Sequence, residues 1–415
     1  MPLPDAIGRE TAATTRWLSI VGIGEDGIDG LSATARALIG HAEMVFGGRR
    51  HLALAAALIR GAARPWPSPF DGAAAEVLAQ RGRHVCVLAS GDPFHYGVGA
   101  VLARTIDPSE MNVVPAPSAF SLAAARLGWP LPATVLLSLH GRALDLIRPH
   151  LQPGAHILAL TADGEAPAAL AKLLTETGFG GSRLTVLEAL GGPRERIRST
   201  TASAYGLDVI DPLNVAAIEV DASPGARVLA RSQGLADDLF EHDGQITKRE
   251  IRAVTLSSLA PRRGELLWDI GAGSGSIAIE WMLADPMMRA VAIERRADRA
   301  ARTSRNAAAF GVPGLEVIEA AAPAALSGLA TPDAIFVGGG ASDAGVLDAA
   351  TRALRAGGRL VVNAVTLETE AVMLARHAAL GGELIRLAVS RADAVGTMTA
   401  WRPAIPVTQW IWTKP

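Results

Sequence analysis

Two apolar strands in this chain run straight into closely spaced glycines, and the two glycine segments are of different kinds. Residues 85–89 (VCVLA) lead into Ser90-Gly91-Asp92-Pro93-Phe94-His95-Tyr96-Gly97, whereas residues 265–270 (ELLWDI) lead into Gly271-Ala272-Gly273-Ser274-Gly275. Glycine lets a backbone turn sharply and approach its contacts closely. Each segment therefore marks a crevice at the carboxyl end of a strand, where open α/β sheets bind ligands. No single domain needs both. At 415 residues the chain is too long for one ordinary core. Its halves do not repeat each other, so two different folds are joined rather than one duplicated.

In the first half, residues 17–22, 85–89, 113–114, 135–139, 157–160 and 214–220 read as short buried strands separated by helical stretches. One such stretch starts at Ser32, with Ala35, Leu38 and Ile39 on one face. This alternation predicts an α/β domain with a largely parallel sheet. The pattern weakens between Asp221 and Asp243, opening with Ser223-Pro224-Gly225. Domains at 17–221 and 243–415 with a linker at 222–242 follow, and residues 1–16 read as a loose leader. In the second half Thr247 is the expected N-cap of a helix, with Glu250 at the capping-box position. Strands are expected at 265–270, 290–294, 315–318, 334–337 and 359–363, and the alternating tail 406–413 should return antiparallel. That describes a doubly wound sheet with a closing hairpin.

Several function classes fall away on composition. The net charge of −2 argues against a broad nucleic-acid surface. Lysine occurs only as Lys172, Lys248 and Lys414, so nearly all positive charge is arginine. Gene base composition accounts for that, although arginine is also the better fork for carboxylates. Cys86 stands alone, which excludes an intramolecular disulfide or thiolate cluster and fits a reducing cytoplasm. Asp5, Arg9 and Glu10 occupy the place of a signal peptide's apolar region. The longest apolar runs are broken by Arg126, Pro130 and Pro132, so no membrane partner is expected.

The second glycine segment is spaced G-x-G-x-G, not the G-x-G-x-x-G of dinucleotide sites, and Asp269 stands two residues before it. An acid there repels a pyrophosphate but suits the ammonium and sulfonium of S-adenosylmethionine. Glu294, closing the next strand, can accept both ribose hydroxyls. A nicotinamide site and a ligand-free strand–turn–helix remain the alternatives. Residues 333–337 run into Gly338-Gly339-Gly340, which forms either an open floor for a bulky planar substrate or a tight turn. In the first half Gly22, Gly24 and Gly27 follow the opening strand, and neither loop carries the lysine of a phosphate-binding loop. His95 and Tyr96 serve structure or chemistry equally well on this footing.

Taken together, the segments resemble two known folds. VGIGEDGIDGLS (21–32), SGDPFHYG (90–97) and APSAFSLAAARLG (116–128) are similar to the three loops of the tetrapyrrole methylase family, whose members bind S-adenosylmethionine between two α/β lobes. GGRRHL (47–52) and SLHGR (138–142) resemble the subgroup acting at C5 of a corrin precursor. DGQITKREIRA (243–253), LWDIGAGSGSIAIEW (267–281), AIERR (292–296), PDAIFVGGG (332–340) and GGRLVVNAVTLETE (357–370) resemble the Rossmann-like class I methyltransferases that methylate C15 and remove a carboxyl group.

The resemblance implies an α/β chain with a two-lobed class III domain followed by a class I domain. It implies S-adenosylmethionine at two sites, S-adenosylhomocysteine as product, a tetrapyrrole substrate, no metal, and cobalamin synthesis in the cytoplasm by a homo-oligomer. It places Gly24, Gly91, Asp92, Pro93, Ser118 and Ala119 at the first methyl donor. It places Thr247, Gly271, Ala272, Gly273, Ser274, Gly275, Glu294 and Ala322 at the second. Arg49, Arg50, Arg142 and Arg249 are the candidate clamps for substrate carboxylates, and His95 is the candidate for proton transfer. Two positions depart from the pattern: Glu25 stands where proline is usual, and Ala320-Ala321-Ala322-Pro323 stands where Gly-Asp-Ala-Pro is frequent. An RNA methyltransferase, a nicotinamide-dependent oxidoreductase and a non-catalytic tetrapyrrole binder are the rival readings.

Overall fold

The computed structural model describes residues 16–67 and 70–415; the expected leader lies outside these except for Arg16. The chain forms two compact units. One comprises the residues up to Arg142 with Pro153–Arg227, the other Ala143–Gln152 with Val228–Pro415.

The first unit has two lobes. One is a parallel sheet in the order Ala62–Pro65, Met44–Gly47, Val85–Ser90, Leu18–Ile23, Met111–Val114. Its inner strands are apolar on both faces, as a sheet covered on both sides requires. Leu18, Ile20, Val85 and Val87 pack with Trp17 and Phe46 on one face. Val21, Ile23, Cys86 and Leu88 pack with Ile39 and Val45 on the other. The expected helix is present as Ala33–His41, capped by Ser32, whose Oγ accepts from the Ala35 amide at 3.2 Å.

The other lobe orders its strands Thr134–Ser138, His156–Leu160, Asn214–Glu219, Arg183–Glu188, Arg196–Thr201. Only the first pair is parallel, so the expected largely parallel sheet is found in the first lobe and not in this one. Seven residues join Glu188 to Arg196, too few for the crossover that parallel strands need. Glu188 has no exposed surface and receives Arg196 and Arg198 from the neighbouring strand.

The second unit is a seven-stranded sheet in the order Glu316–Glu319, Arg289–Glu294, Leu266–Ile270, Ala334–Val337, Arg359–Ala364, Val407–Thr413, Glu383–Leu387. The first five strands are parallel, and Val407–Thr413 is antiparallel to both of its neighbours. The antiparallel tail is thus present, but inserted inside the sheet. Glu383–Leu387 and the exposed hairpin Ser390–Val395/Met398–Pro403 are strands the pattern did not reveal. Arg359 forks onto Glu265 with contacts of 2.7 and 2.6 Å, closing the amino end of the sheet.

The helix expected from Thr247 is Arg249–Leu259, and its N-cap is Lys248, without a side-chain bond. Thr247 therefore does not cap it; its carbonyl instead accepts from Arg252 Nη1 at 2.5 Å. Arg252 is fully buried. It donates to Glu280 Oε1 at 2.5 Å and to Asp237 Oδ1 at 3.1 Å. Glu280 also accepts the amides of Gly234 and Leu235 at 2.7 and 3.0 Å. Within the stretch that reads as a linker, Leu229, Leu235 and Phe240 are buried against Leu256, Trp281 and Phe310.

Truncating Arg252 would leave the Glu280 carboxylate buried without its cation. Arg252→Ala should cost the second unit about 3–5 kcal/mol, read as an earlier transition in urea unfolding followed by tryptophan fluorescence.

Candidate functional site

In the first unit, Ile23 and Ser90 are partners across parallel strands, so the two loops that follow leave the same sheet edge. The Gly91 amide donates to the Ile23 carbonyl at 3.2 Å, and the Gly91 carbonyl accepts from Ala116 at 3.1 Å. A Cβ on Gly22 would lie 1.8 Å from the Gly91 carbonyl oxygen. One on Gly91, at φ +54°, would lie 2.7 Å from the Pro117 carbonyl. Three loops meet here backbone to backbone, beside a crevice of about 1030 Å³.

Gly24, Gly91, Ser118, Ala119, Arg50 and Arg142 line that crevice, as does His95. Ser118 also caps the helix Ala119–Leu127, accepting from Ser121 at 3.1 Å. Asp92 and Pro93 are not among the lining residues. The Asp92 carboxylate accepts the Phe94 amide at 2.8 Å, and the Pro93 carbonyl accepts the Gly99 amide at 2.9 Å, so both shape the loop. Arg49 is exposed and outside the lining, because its neighbour Arg50 takes the inward face of the short helix Arg49–Leu54. Aromatic residues are only 4% of the chain, yet Trp66, Phe70, Phe94, Tyr96 and Phe120 all border this one crevice. The Arg142 guanidinium lies 5.7 Å from the Tyr96 ring centroid.

Glu25, at the position where proline is usual, pairs with Arg50 and, at 3.4 Å, with Arg194. Burial and the nearby Arg194 charge lower the Arg50 pKa. Burial and the adjacent Arg50 push His51 down to about 4, so its ring is neutral at pH 7. His51, Ser90, Arg104 and His140 also line the crevice and were not singled out from the sequence. The GGRRHL motif drew notice to the arginines beside His51, but nothing in its spacing marks the histidine.

In the second unit Gly271, Gly273 and Gly275 all have positive φ, +74°, +61° and +75°. A Cβ on Gly271 would sit 2.7–2.8 Å from the backbone of Gly339, so the two glycine loops are again in backbone contact. Thr247, Gly271, Ala272, Gly273, Ser274, Glu294 and Ala322 line a crevice of about 790 Å³. Gly275 does not; it starts the helix Ser276–Leu283, and a Cβ there would meet Thr303 at 2.6 Å. Glu294 accepts the amides of Gly273 and Arg296 at 2.9 and 3.0 Å, one on each carboxylate oxygen. Each oxygen keeps a lone pair.

Arg249 is exposed and absent from the lining; the helix turns its first residue outward. The cations bordering this crevice are Lys248, Arg295, Arg299 and Arg391. Arg299 is engaged by Asp243 and Gln245, both at 2.9 Å, and Arg391 by Glu250. Asp269 is 1% exposed and outside the lining, with Oδ2 accepting the Ala278 amide at 3.1 Å. Its carboxylate organises the loop-to-helix turn, where the sequence placed it against the charges of a ligand.

Both units thus present glycine-built crevices at strand carboxyl ends. Residues 18–205 match the family model described as Tetrapyrrole (Corrin/Porphyrin) Methylases, and residues 238–414 match the one described as Precorrin methyltransferase domain. Two methyltransferase domains in tandem, of unlike fold, define the class. A relative from Sinorhizobium sp, named Precorrin-6Y C(5,15)-methyltransferase (decarboxylating), is 60% identical over 412 residues, spanning 99% of this chain and 100% of the relative. A relative of the same name from Mycobacterium tuberculosis is 42% identical over 400 residues, covering 95% of this chain and 99% of its own. The crystal structure of the C-terminal domain of precorrin-6Y C5,15-methyltransferase from Rhodobacter capsulatus is 45% identical and covers 45% of this chain and 100% of that one, with a TM-score of 0.43. The chain belongs to the family of precorrin-6Y C5,15-methyltransferases (decarboxylating).

Burial raises the Asp269 pKa from 3.8 to about 7, with a smaller push from Glu294 and an opposing hydrogen bond from Ala278. The folded chain then keeps a proton that the unfolded chain releases, so stability declines as pH rises from about 3.8 to about 7. Asp269→Asn should flatten that decline in melting temperature; an unchanged slope would assign it to other groups.

Proposed function

We propose that the chain methylates C5 and C15 of a precorrin-6B/6Y macrocycle and removes the carboxyl group of the C12 acetate, giving precorrin-8. The first unit serves C5, and the second serves C15 and the decarboxylation. The observation that carries this reading is the makeup of the first crevice: a wall of the chain's scarce aromatics, which suits a flat macrocycle, together with Arg50, Arg104 and Arg142 for its carboxylate arms. In the second crevice Arg295, which has no ion-pair partner among the described residues, takes the clamping role first assigned to Arg249, with Lys248 and Arg391 beside it.

S-adenosylmethionine supplies an electrophilic methyl group on a sulfonium. In the second unit the cradle fits that ligand. Gly271 and Gly273 bring backbone without Cβ to the crevice, Glu294 has free lone pairs for ribose hydroxyls, and the buried Ser274 Oγ lacks a partner. In the first unit the Gly24, Gly91 and Ser118–Ala119 backbones offer the corresponding cradle. The protein's own work is to align two reactants and exclude water, which supplies a large part of such a rate enhancement. For the decarboxylation, the conjugated imines of the macrocycle serve as the electron sink.

Incubation with precorrin-6B and isotopically labelled methyl donor tests this directly. The product should gain two labelled methyl groups and lose one CO2; nicotinamide oxidation without methylation would sink the proposal.

We also propose a cytoplasmic homo-oligomer. Buried Cys86, its thiol pushed up to about 12 by burial, suits a reducing compartment. The hairpin Ser390–Val395/Met398–Pro403 leaves Met398 and Trp401 each 76% exposed, and a two-stranded hairpin is marginal by itself. Trp401→Ser should lower the mass measured by sedimentation; an unchanged mass removes the hairpin from the interface.

A further inference from the structure

In the first crevice Arg50, already assigned to the carboxylate arms, also contacts two residues with no role in the scheme above, His51 and Ser90. Gly47 and Gly48 precede the helix Arg49–Leu54, which brings Arg50 and His51 beside Ser90 at the end of its strand. His51 Nε2 lies 2.8 Å from Ser90 Oγ and 2.9 Å from Arg50 Nη2, and Arg50 Nη2 lies 3.1 Å from Ser90 Oγ. A guanidinium has only hydrogens to offer. Nε2 must therefore be bare toward Arg50, and the ring hydrogen sits on Nδ1, which is buried and unpartnered. Facing a bare Nε2, Ser90 can only donate its hydroxyl hydrogen. It accepts from Arg50 in turn, which leaves one lone pair, and both Ser90 and His51 line the crevice.

Methylation of a meso carbon requires such a group. The carbon's electron pair forms the new C–CH3 bond, and the C–S bond breaks with its pair remaining on sulfur. The carbon then bears both hydrogen and methyl, next to an iminium. Its C–H bond must break so that the pair can rebuild the double bond.

We propose that Ser90 accepts this proton while passing its own to His51 Nε2; the hydrogen bond from Arg50 to that nitrogen opens as the proton arrives, and Arg50 keeps its bond to Ser90. The proposal rests on the reading that the first unit methylates a meso carbon. The low basicity of His51 is compatible with the task, because a C–H beside an iminium is strongly acidic. An imidazolium next to Arg50 also returns its proton readily to solvent, which resets the site. His95 is placed otherwise: its ring stacks at 5.5 Å on Tyr96 and lies 4.8 Å from Phe120, with no side-chain hydrogen bond among the described residues.

The test uses the full-length chain with Ser90→Ala and His51→Gln, resolving methylation at C5 and C15 separately. Ser90→Ala should slow C5 methylation about 100-fold or more, leave the KM for methyl donor unchanged, and expose a primary deuterium isotope effect at the meso C–H. C15 methylation and CO2 release should keep their rates. Without any ligand, the ¹⁵N resonances of His51, recognised by their loss in His51→Gln, should show hydrogen on Nδ1, and Ser90→Ala should shift Nε2. An unchanged C5 rate, a protonated Nε2, or a loss wholly in donor affinity overturns the proposal. Failure of the unsubstituted chain to methylate C5 would instead strike at the role of the first unit.

Discussion

Backbone pressed directly on backbone underlies both crevices. Gly22 against Gly91 and Gly91 against Pro117 in one unit, and Gly271 against Gly339 in the other, leave no room for a single added carbon. Parallel strands deliver their loops to one sheet edge, and only glycine lets those loops close on each other there. The floor that results is rich in peptide dipoles and poor in movable side chains. Selectivity must then come from the walls: aromatic rings and arginines in the first unit, cations beside an open glycine floor in the second.

Arginine abundance is a poor measure of ligand-binding capacity in this chain. Arg252 serves Glu280, Arg359 serves Glu265, and Arg196 with Arg198 serve Glu188, all on buried carboxylates. These pairs satisfy charges that folding has removed from water, and breaking one costs far more than losing a surface pair. The arginines left to face a crevice are few, and neighbours in sequence divide between the two roles. Arg49 and Arg50, adjacent on one helix, point about 100° apart, so composition and motif alone do not separate them.

Most of the legible strands are continuous apolar runs. Burial alone did not decide: Met44–Gly47 and Arg183–Glu188 are buried yet were not singled out, whereas the edge strand Glu316–Glu319 was. Glu383–Leu387, with Glu383 and Arg386 interrupting it, offers no such run. The direction of the second lobe's strands escaped for another reason: a buried strand has the same composition in either orientation, and only the length of its connection tells them apart. The glycine segments announced both crevices, and most of the residues assigned to them do line these cavities. Asp92, Pro93, Gly275 and Asp269 instead hold the loops in shape, since a loop's own hydrogen bonds draw on the residue types a ligand would use. His51 went unnoticed because its environment comes from distant segments: Glu25 acts through Arg50, and Ser90 arrives from another strand.

The inserted position of Val407–Thr413 bears on how the second unit comes into being. Glu383–Leu387 is synthesised before it yet joins the sheet only through it. While the chain emerges from the ribosome, that strand has no partner and Arg359–Ala364 keeps an open edge. Vectorial synthesis therefore holds this sheet incomplete until its penultimate position in space is filled by a segment made later, and an interrupted chain would display two unpaired edges to its neighbours.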